Sequence, residues 1–364
     1  MAEPRSAGPQ AASAPRTTGP IRVLIVDDSI VARAALSRLL DEDDDIVVAG
    51  SAGSAPAALR LLAELRVDVI LLDLEMPGVG GLAALPELLA AGQGARVLIV
   101  SSACADGAAA SIAALRAGAA DTLLKPMSAG FSGPFARDLT DRLRRIAWPD
   151  GRDGAAPADP RGGGGAPARQ IECLGIGAST GGVHALATFF AALPREFAAP
   201  ILVTQHLPAP FMPYFATQLT DMAGRRTRIA AAGLQLIAGE ILLAPGDAHL
   251  TLARTGGIVH VRLERKRAAS GCLPSVDPMF ASMAKVYGPA AVGVVLSGMG
   301  RDGVDGAALL VGGGGAVFAQ DRASSVVWGM PGAVANAGLA RVIAPAGELA
   351  RRLAEREEGA ARWR

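Results

Sequence analysis

The chain has 364 residues, 51% of them hydrophobic, and a formal net charge of +1, which suggests two domains with sizeable cores and gives no electrostatic footprint for nucleic acid. No apolar run reaches membrane-spanning length and the N-terminus lacks the apolar stretch of a signal peptide, so a cytoplasmic protein without membrane insertion is expected. Three widely spaced cysteines, Cys104, Cys173 and Cys272, make no disulfide framework and fit a reducing compartment.

In chain order, residues 1–19 are rich in Ala, Pro, Gly, Ser and Arg without periodicity and read as a disordered tail. Residues 20–147 alternate apolar runs with helix-compatible stretches. Strands are expected at Ile21–Val26, Ile46–Ala49, Val69–Leu72, Val97–Val100 and Thr122–Leu124, with helices such as Val31–Leu40 and Pro56–Leu65 between them. This rhythm implies an α/β domain with a doubly wound parallel sheet. Functional groups in such sheets gather beyond the C-terminal strand ends. There stand Asp27 and Asp28 after the first strand, Asp73 after the third, Ser101 after the fourth and Lys125 after the fifth. Three carboxylates at one sheet edge repel one another unless a cation joins them, and hard oxygen donors suit Mg2+. With a lysine as counter-charge and a hydroxyl to accept a new hydrogen bond, this is the set that phosphoryl transfer to a carboxylate requires.

Asp27-Asp28, Asp73-Leu-Glu-Met-Pro77, Ser101-Ser102 and Lys125-Pro126 resemble the receiver domain of response regulators. The resemblance implies that Asp73 is phosphorylated by a partner histidine kinase, with Asp27 and Asp28 helping Asp73 to hold magnesium. Receivers often carry an aromatic residue three positions before the lysine; this chain has Thr122.

Residues 148–169, with the run Gly162 to Gly165, read as a flexible Gly/Pro-rich linker. Residues 170–356 are again α/β, followed by a charged tail at 357–364. Strands are expected at 171–176, 200–204, Ile241–Ala244, His249–Ala253, Ile258–Leu263, Val292–Ser297 and Ala316–Gln320. Helices are expected at Val183–Ala192, Pro210–Thr220, Pro278–Val286 and Asp305–Leu310.

The first of these strands leads into Gly177-Ala-Ser179-Thr-Gly181, a Gly-x-Ser-x-Gly nucleophile elbow with Ser179 at its apex. The helix N-terminus behind it supplies unpaired N–H groups that suit a developing oxyanion. A dinucleotide fingerprint also begins Gly-x-Gly after a strand, but here the third glycine position is Thr180 and the next strand ends in Gln205-His206 rather than an acid.

A serine nucleophile needs a base, and four histidines are available: His184, His206, His249 and His260. His206 ends the strand after the elbow and is favoured by position. His249, after the turn Pro245-Gly-Asp247, competes. His184 falls in a first helical turn and His260 mid-strand. For the acid that orients the imidazole, Asp302 stands beyond a strand end, with Asp247 and Asp305 as alternatives.

Gly177-Ala-Ser-Thr-Gly-Gly182, Gln205-His206-Leu-Pro208, Ala244-Pro-Gly-Asp-Ala-His249, Pro274-Ser-Val-Asp277, Gly298-Met-Gly-Arg-Asp-Gly303 and Gly329-Met-Pro331 resemble the catalytic domain of the chemotaxis methylesterase family, CheB. The resemblance implies a triad of Ser179, His206 and Asp302, with the Met299 N–H in the oxyanion hole and no cofactor for hydrolysis. It implies hydrolysis of glutamate methyl esters on chemoreceptors, releasing methanol, and deamidation of certain receptor glutamines. Leu273 and Arg322 stand where the family usually has a basic and an acidic residue; both departures bear on substrate recognition. Two other functions fit less of the pattern: a receiver-controlled hydrolase of another ester or amide, and a non-enzymatic output domain that binds a nucleotide or protein.

Overall fold

The computed structural model describes residues 19–101, 105–126, 133–148 and 170–361. The expected tail at 1–19 and the linker at 148–169 fall almost entirely outside these residues, as does Cys104. The chain divides into two compact units. Among the described residues, one comprises 19–98 with 133–148; the other comprises 99–101, 105–126 and 170–361.

The N-terminal elements are β1 (Ile21–Val26), α1 (Ile30–Asp41), β2 (Ile46–Ala52), α2 (Ala55–Glu64), β3 (Val69–Leu72), α3 (Gly81–Ala91), β4 (Arg96–Ser101), α4 (Ala105–Arg116), β5 (Asp121–Leu124) and α5 (Gly133–Ala147). The five strands form one sheet in the order β2-β1-β3-β4-β5, and β1 pairs in parallel with both β2 and β3. All four residues of β3 are buried, the pattern of a strand covered on both faces. Ser29 and Ser54 cap α1 and α2, their hydroxyls accepting from the N–H groups of Ala32 and Ala57.

The C-terminal elements are β6 (Cys173–Ala178), α6 (Gly182–Ala192), β7 (Ile201–Gln205), α7 (Met212–Ala223), β8 (Thr227–Ile229), β9 (Ile241–Leu243), β10 (His249–Thr255), β11 (Ile258–Glu264), α8 (Val276–Tyr287), β12 (Ala291–Val295), α9 (Val304–Gly312), β13 (Ala316–Gln320), α10 (Met330–Asn336), β14 (Ala340–Ala344) and α11 (Ala346–Ala361). Seven strands make a parallel sheet in the order β14-β13-β12-β6-β7-β9-β8. Strands β10 and β11 pair antiparallel as a separate ribbon. The fold is thus α/β, with two parallel sheets. From β6 the chain winds outward through β7, and it returns to β6's other side as β12. That reversal makes β6 and β12 the topological switch point, beyond whose strand ends doubly wound folds place their ligands.

Two boundaries differ from expectation in ways that matter. Strand β6 runs two residues further, to Ala178, which delivers Ser179 directly at the strand end. Helix α8 begins at Val276, not Pro278, with Ser275 as its N-cap. Pro278 is compatible with that first turn because its missing N–H has no intrahelical partner there.

Candidate active site

Ser179 sits between β6 and α6, half-buried. Its N–H donates to the Ser297 carbonyl at 3.0 Å. Its own carbonyl accepts from Gln205 Nε2 at 2.9 Å and from the Gly182 N–H at 2.8 Å. The elbow therefore has fixed neighbours from β7 and from the segment after β12. Gly181 makes the turn possible: its φ is +73°, and a Cβ there would meet Val326 at 2.4 Å. Within the same unit, Thr180 Oγ1 donates to Asp121 Oδ2 at 2.9 Å and the Gly181 N–H donates to the Ala120 carbonyl at 2.7 Å.

His206 follows β7 directly, and its Nε2 lies 2.8 Å from Asp302 Oδ2. Asp302 is 1% exposed, a placement that demands partners for its charge. It receives the Val276 N–H on Oδ2 at 2.7 Å and the Ser270 hydroxyl on Oδ1 at 3.0 Å; the Ser275 hydroxyl also donates to Oδ1. The N-terminus of α8 thus points an N–H and its capping hydroxyl at a carboxylate, the favourable sign for a helix dipole. Burial pulls the Asp302 carboxyl upward. The His206 hydrogen bond and charge, with Ser275 and Val276, outweigh it and hold the group well below the usual carboxylate range. Burial likewise pulls His206 down, but Asp302 and the adjacent Cys272 thiol bring it up to about 9. Neighbouring Asp277 is pushed up to about 7, first by burial and then by the Asp302 charge.

With Asp302 accepting from Nε2, the nitrogen left to receive a proton on His206 is Nδ1. No hydrogen bond joins Ser179 and His206 among the described residues, and such bonds often tighten only when substrate binds. His249 is differently engaged. Its Nδ1 accepts the Ser275 N–H at 3.0 Å and its Nε2 donates to the Lys266 carbonyl at 2.7 Å. Both nitrogens are occupied, and the ring steadies the same Ser275 that bonds Asp302. His184 is exposed and His260 half-exposed. Asp247 and Asp305 are exposed, and Asp247 lies 3.7 Å from Arg265.

Met299 lies just beyond Gly298, where an added Cβ would meet the Ser179 Cβ at 2.9 Å. The Met299 peptide is thus beside the serine, and no acceptor takes its N–H among the described residues. Arg322 lies 5.9 Å from the ring centre of Trp328, whose indole N–H donates to the Gln320 carbonyl.

The three receiver-like carboxylates form a second cluster. Asp27, Asp28 and Asp73 bring carboxylate oxygens within 4.8 Å of one another. Asp27 and Asp73 are buried and Asp28 is exposed. The Ser29 N–H donates to Asp27 Oδ1, the Glu75 N–H to Asp73 Oδ1, and Arg33 Nη1 to the carbonyls of Asp27 and Asp28. This donor set, all hard oxygen and partly open to solvent, fits a magnesium ion. Ser101 is buried, its hydroxyl 2.7 Å from that of Ser111, which donates onward to the Gly107 carbonyl. The Lys125 N–H donates to the Ser101 carbonyl at 2.8 Å. Thr122 is buried in β5 at the position of the family's usual aromatic.

Sequence reasoning did not pick out Ser270, Ser275, Cys272 or the supporting position of His249. The one local signal was the serine of Pro274-Ser-Val-Asp277, a helix-capping residue ahead of an apolar run.

The chain is similar to known proteins over both of its parts. The "CheB methylesterase" family model matches residues 174–353, and the "Response regulator receiver domain" model matches residues 23–130. A Caulobacter vibrioides protein named protein-glutamate methylesterase/protein-glutamine glutaminase 2 is 41% identical over 352 residues, covering 94% of this chain and all of that one. A Maricaulis maris protein-glutamate methylesterase/protein-glutamine glutaminase is 38% identical, covering 93% of this chain and 96% of its own. The crystal structure of the Thermotoga maritima CheB methylesterase catalytic domain is 34% identical over 51% of this chain and 98% of that domain, with a TM-score of 0.50.

Proposed function

The chain belongs to the CheB methylesterase family, and on that premise we propose that it is a phosphorylation-controlled serine hydrolase that demethylates glutamate methyl esters on chemoreceptors and deamidates specific receptor glutamines. The observation that carries this reading is the buried Asp302 held against His206 Nε2 at the edge where Ser179 emerges. In this mechanism Ser179 Oγ attacks the ester carbonyl while His206 Nδ1 takes its proton. Asp302 keeps the ring oriented and stabilises the imidazolium that forms. The Met299 N–H donates to the developing oxyanion. The tetrahedral intermediate collapses, and methanol leaves with the proton from His206. Water, deprotonated by the same nitrogen, then hydrolyses the acyl-serine to glutamate. For a glutamine the leaving group is ammonia and the second half is identical.

Asp73 is the residue that receives phosphate from a partner histidine kinase. Asp27, Asp28 and Asp73 would hold Mg2+, which when bound offsets the charge of the phosphoryl oxygens. Ser101 and Lys125 are the switch residues that respond to the new charge. No described helix is long and apolar enough to cross a membrane, and we place the enzyme in the cytoplasm. The working division is a receiver at 20–147 and a catalytic domain at 170–356.

Methanol release from methylated receptor membranes tests the assignment. Wild-type protein with phosphodonor releases methanol, and Ser179→Ala and His206→Ala each lose nearly all of that activity. The double variant is little worse than either, because nucleophile and base act as a unit. Substantial release by Ser179→Ala would sink the assignment.

A further inference from the structure

Cys272 stands beside the His206–Asp302 pair and takes no chemical step in the hydrolysis above. Its sulfur, a ring nitrogen of His206 and a carboxylate oxygen of Asp302 all lie within 4.8 Å of one another. Thiolate, imidazole and carboxylate are the three side-chain donors that zinc accepts, and three protein ligands with one open position is a common zinc arrangement. The sulfur and nitrogen donors disfavour magnesium and calcium, which prefer oxygen.

The surroundings support a built site. Asp302 keeps the Ser270, Ser275 and Val276 donors behind it, the outer hydrogen bonds that orient a ligating carboxylate. The Cys272 loop is tied to the same group, since the Cys272 N–H donates to Ser270 Oγ at 3.4 Å. Cys272 is half-exposed, which gives an ion a path in from solvent. His206 is 17% exposed. We propose that Cys272, His206 and Asp302 form a zinc(II) site that reversibly switches the hydrolase off.

The geometry asks for small movements. Zinc holds its donors at about 2.0–2.3 Å, so the 2.8 Å His206–Asp302 separation opens by about half an ångström while Cys272 closes in. The proton balance follows. Cys272 gives its thiol proton to water and binds as thiolate. The metal replaces the Nε2 proton of His206. From a neutral ring that proton moves through solvent to Nδ1; from a protonated ring it leaves to water, and Nδ1 keeps its own. In both cases Nδ1 carries a proton and Ser179 has no base.

The inhibitory effect rests on the hydrolase reading, but metal binding at these three residues does not, and the test separates the two. Cobalt(II) added to the full chain, with magnesium in excess, reports a sulfur ligand through a thiolate-to-cobalt absorption band. The band is expected in the wild type and in Cys104→Ser and Asp73→Asn, and is expected to vanish in Cys272→Ser. Zinc titrated into the phosphodonor-driven methanol assay is expected to abolish activity, and a chelator added with excess magnesium restores it. In Cys272→Ala, with each rate referred to that variant's own metal-free rate, half-inhibition is expected at a zinc concentration at least tenfold higher. A cobalt band that survives Cys272→Ser, no band in the wild type, or equal zinc sensitivity in Cys272→Ala overturns the proposal. A band that behaves as expected in a protein with no methanol release supports the metal site and moves the failure to the hydrolase reading.

Discussion

Asp73 and Asp302 are both buried carboxylates beyond the ends of parallel strands, yet their surroundings differ. Asp302 is met by donors: an imidazole N–H, two hydroxyls and the first amide of α8. Asp73 accepts the Glu75 N–H and also shares its sheet edge with Asp27 and Asp28, their carboxylate oxygens within 4.8 Å of one another. The donors around Asp302 stabilise its charge, so that group stays ionised and acts on His206 continuously. The Asp73 cluster places like charges together, and a cation relieves their repulsion. One carboxylate is a permanent part of a site; the other is conditional on what the surroundings bring to it. This division suits a catalytic element in one place and a switch in the other.

Replacing Asp302 gives the largest contrast. Asp302→Asn preserves shape, and the Ser270 and Ser275 hydroxyls can turn to accept from the amide, so the variant is expected to fold. The charge that stabilises the imidazolium is gone, and turnover is expected to fall by about three to four orders of magnitude. Circular dichroism and methanol release on the same sample check both halves. Wild-type turnover would show that Asp302 is a structural anchor only.

The pH profile sharpens the same contrast. As base, His206 must be neutral, and Asp302 and Cys272 bring it up to about 9 from 6.5. The free-enzyme kcat/KM is therefore expected to climb with pH through an alkaline limb. Cys272→Ala should move that limb downward. The stability consequence has the opposite sense. Protonated His206 is favoured in the fold, so its contribution is complete below the unfolded value of 6.5 and is lost as pH rises through about 9. A limb at 6.5 in the wild type, read from kcat/KM across pH, would contradict this placement.

The two sites also differ in how far they could be read from sequence. The receiver-like carboxylates follow apolar runs such as 69–72 directly, so the strand rule alone locates them. Ser179 and His206 follow strands in the same way. What surrounds Asp302 was not legible. Ser270 and Ser275 are 32 and 27 residues away in the chain, and they arrive only because α8 packs its N-terminus against the segment after β12. A helix start misplaced by two residues hid the Val276 amide. At the sheet edges, Thr227–Ile229 and Ala340–Ala344 are short and only partly buried, too weak a pattern to read as strands. Helix α10 opens with Met-Pro-Gly, whose letters read locally as a turn.

A smaller effect tests the conditional side. The unphosphorylated chain is expected to work about tenfold more slowly than the phosphorylated one, a difference of ~1.4 kcal/mol. Asp73→Ala should stay at the low rate when phosphodonor and magnesium are added, and residues 170–364 alone should exceed the unphosphorylated full chain. If the fragment is no faster and the wild type ignores phosphodonor, residues 20–147 do not restrain the site.

The smallest expected effect concerns the bond between Thr180 and Asp121. Thr180 adjoins Ser179, and its hydroxyl donates to Asp121 Oδ2 at the start of β5, 2.9 Å away. The next amide, Gly181, donates to the Ala120 carbonyl. These two bonds tie the elbow to the segment that ends at Lys125, so a shift of that segment must either break them or move the elbow. If they hold the resting state, Asp121→Ala removes one of the two. A typical hydrogen bond contributes ~1 kcal/mol net, and on that figure the unphosphorylated rate should rise by roughly fivefold while the phosphorylated rate stays put. Thr180→Val, which deletes this bond and leaves the acceptor of the Thr122 N–H in place, should act similarly, and the double variant should exceed it only by what Asp121 contributes through its other partners. Methanol release measured with and without phosphodonor distinguishes this from simple support of the elbow. Were the bond merely structural, both variants would lower the two rates together, and the link between Asp121 and control would be lost.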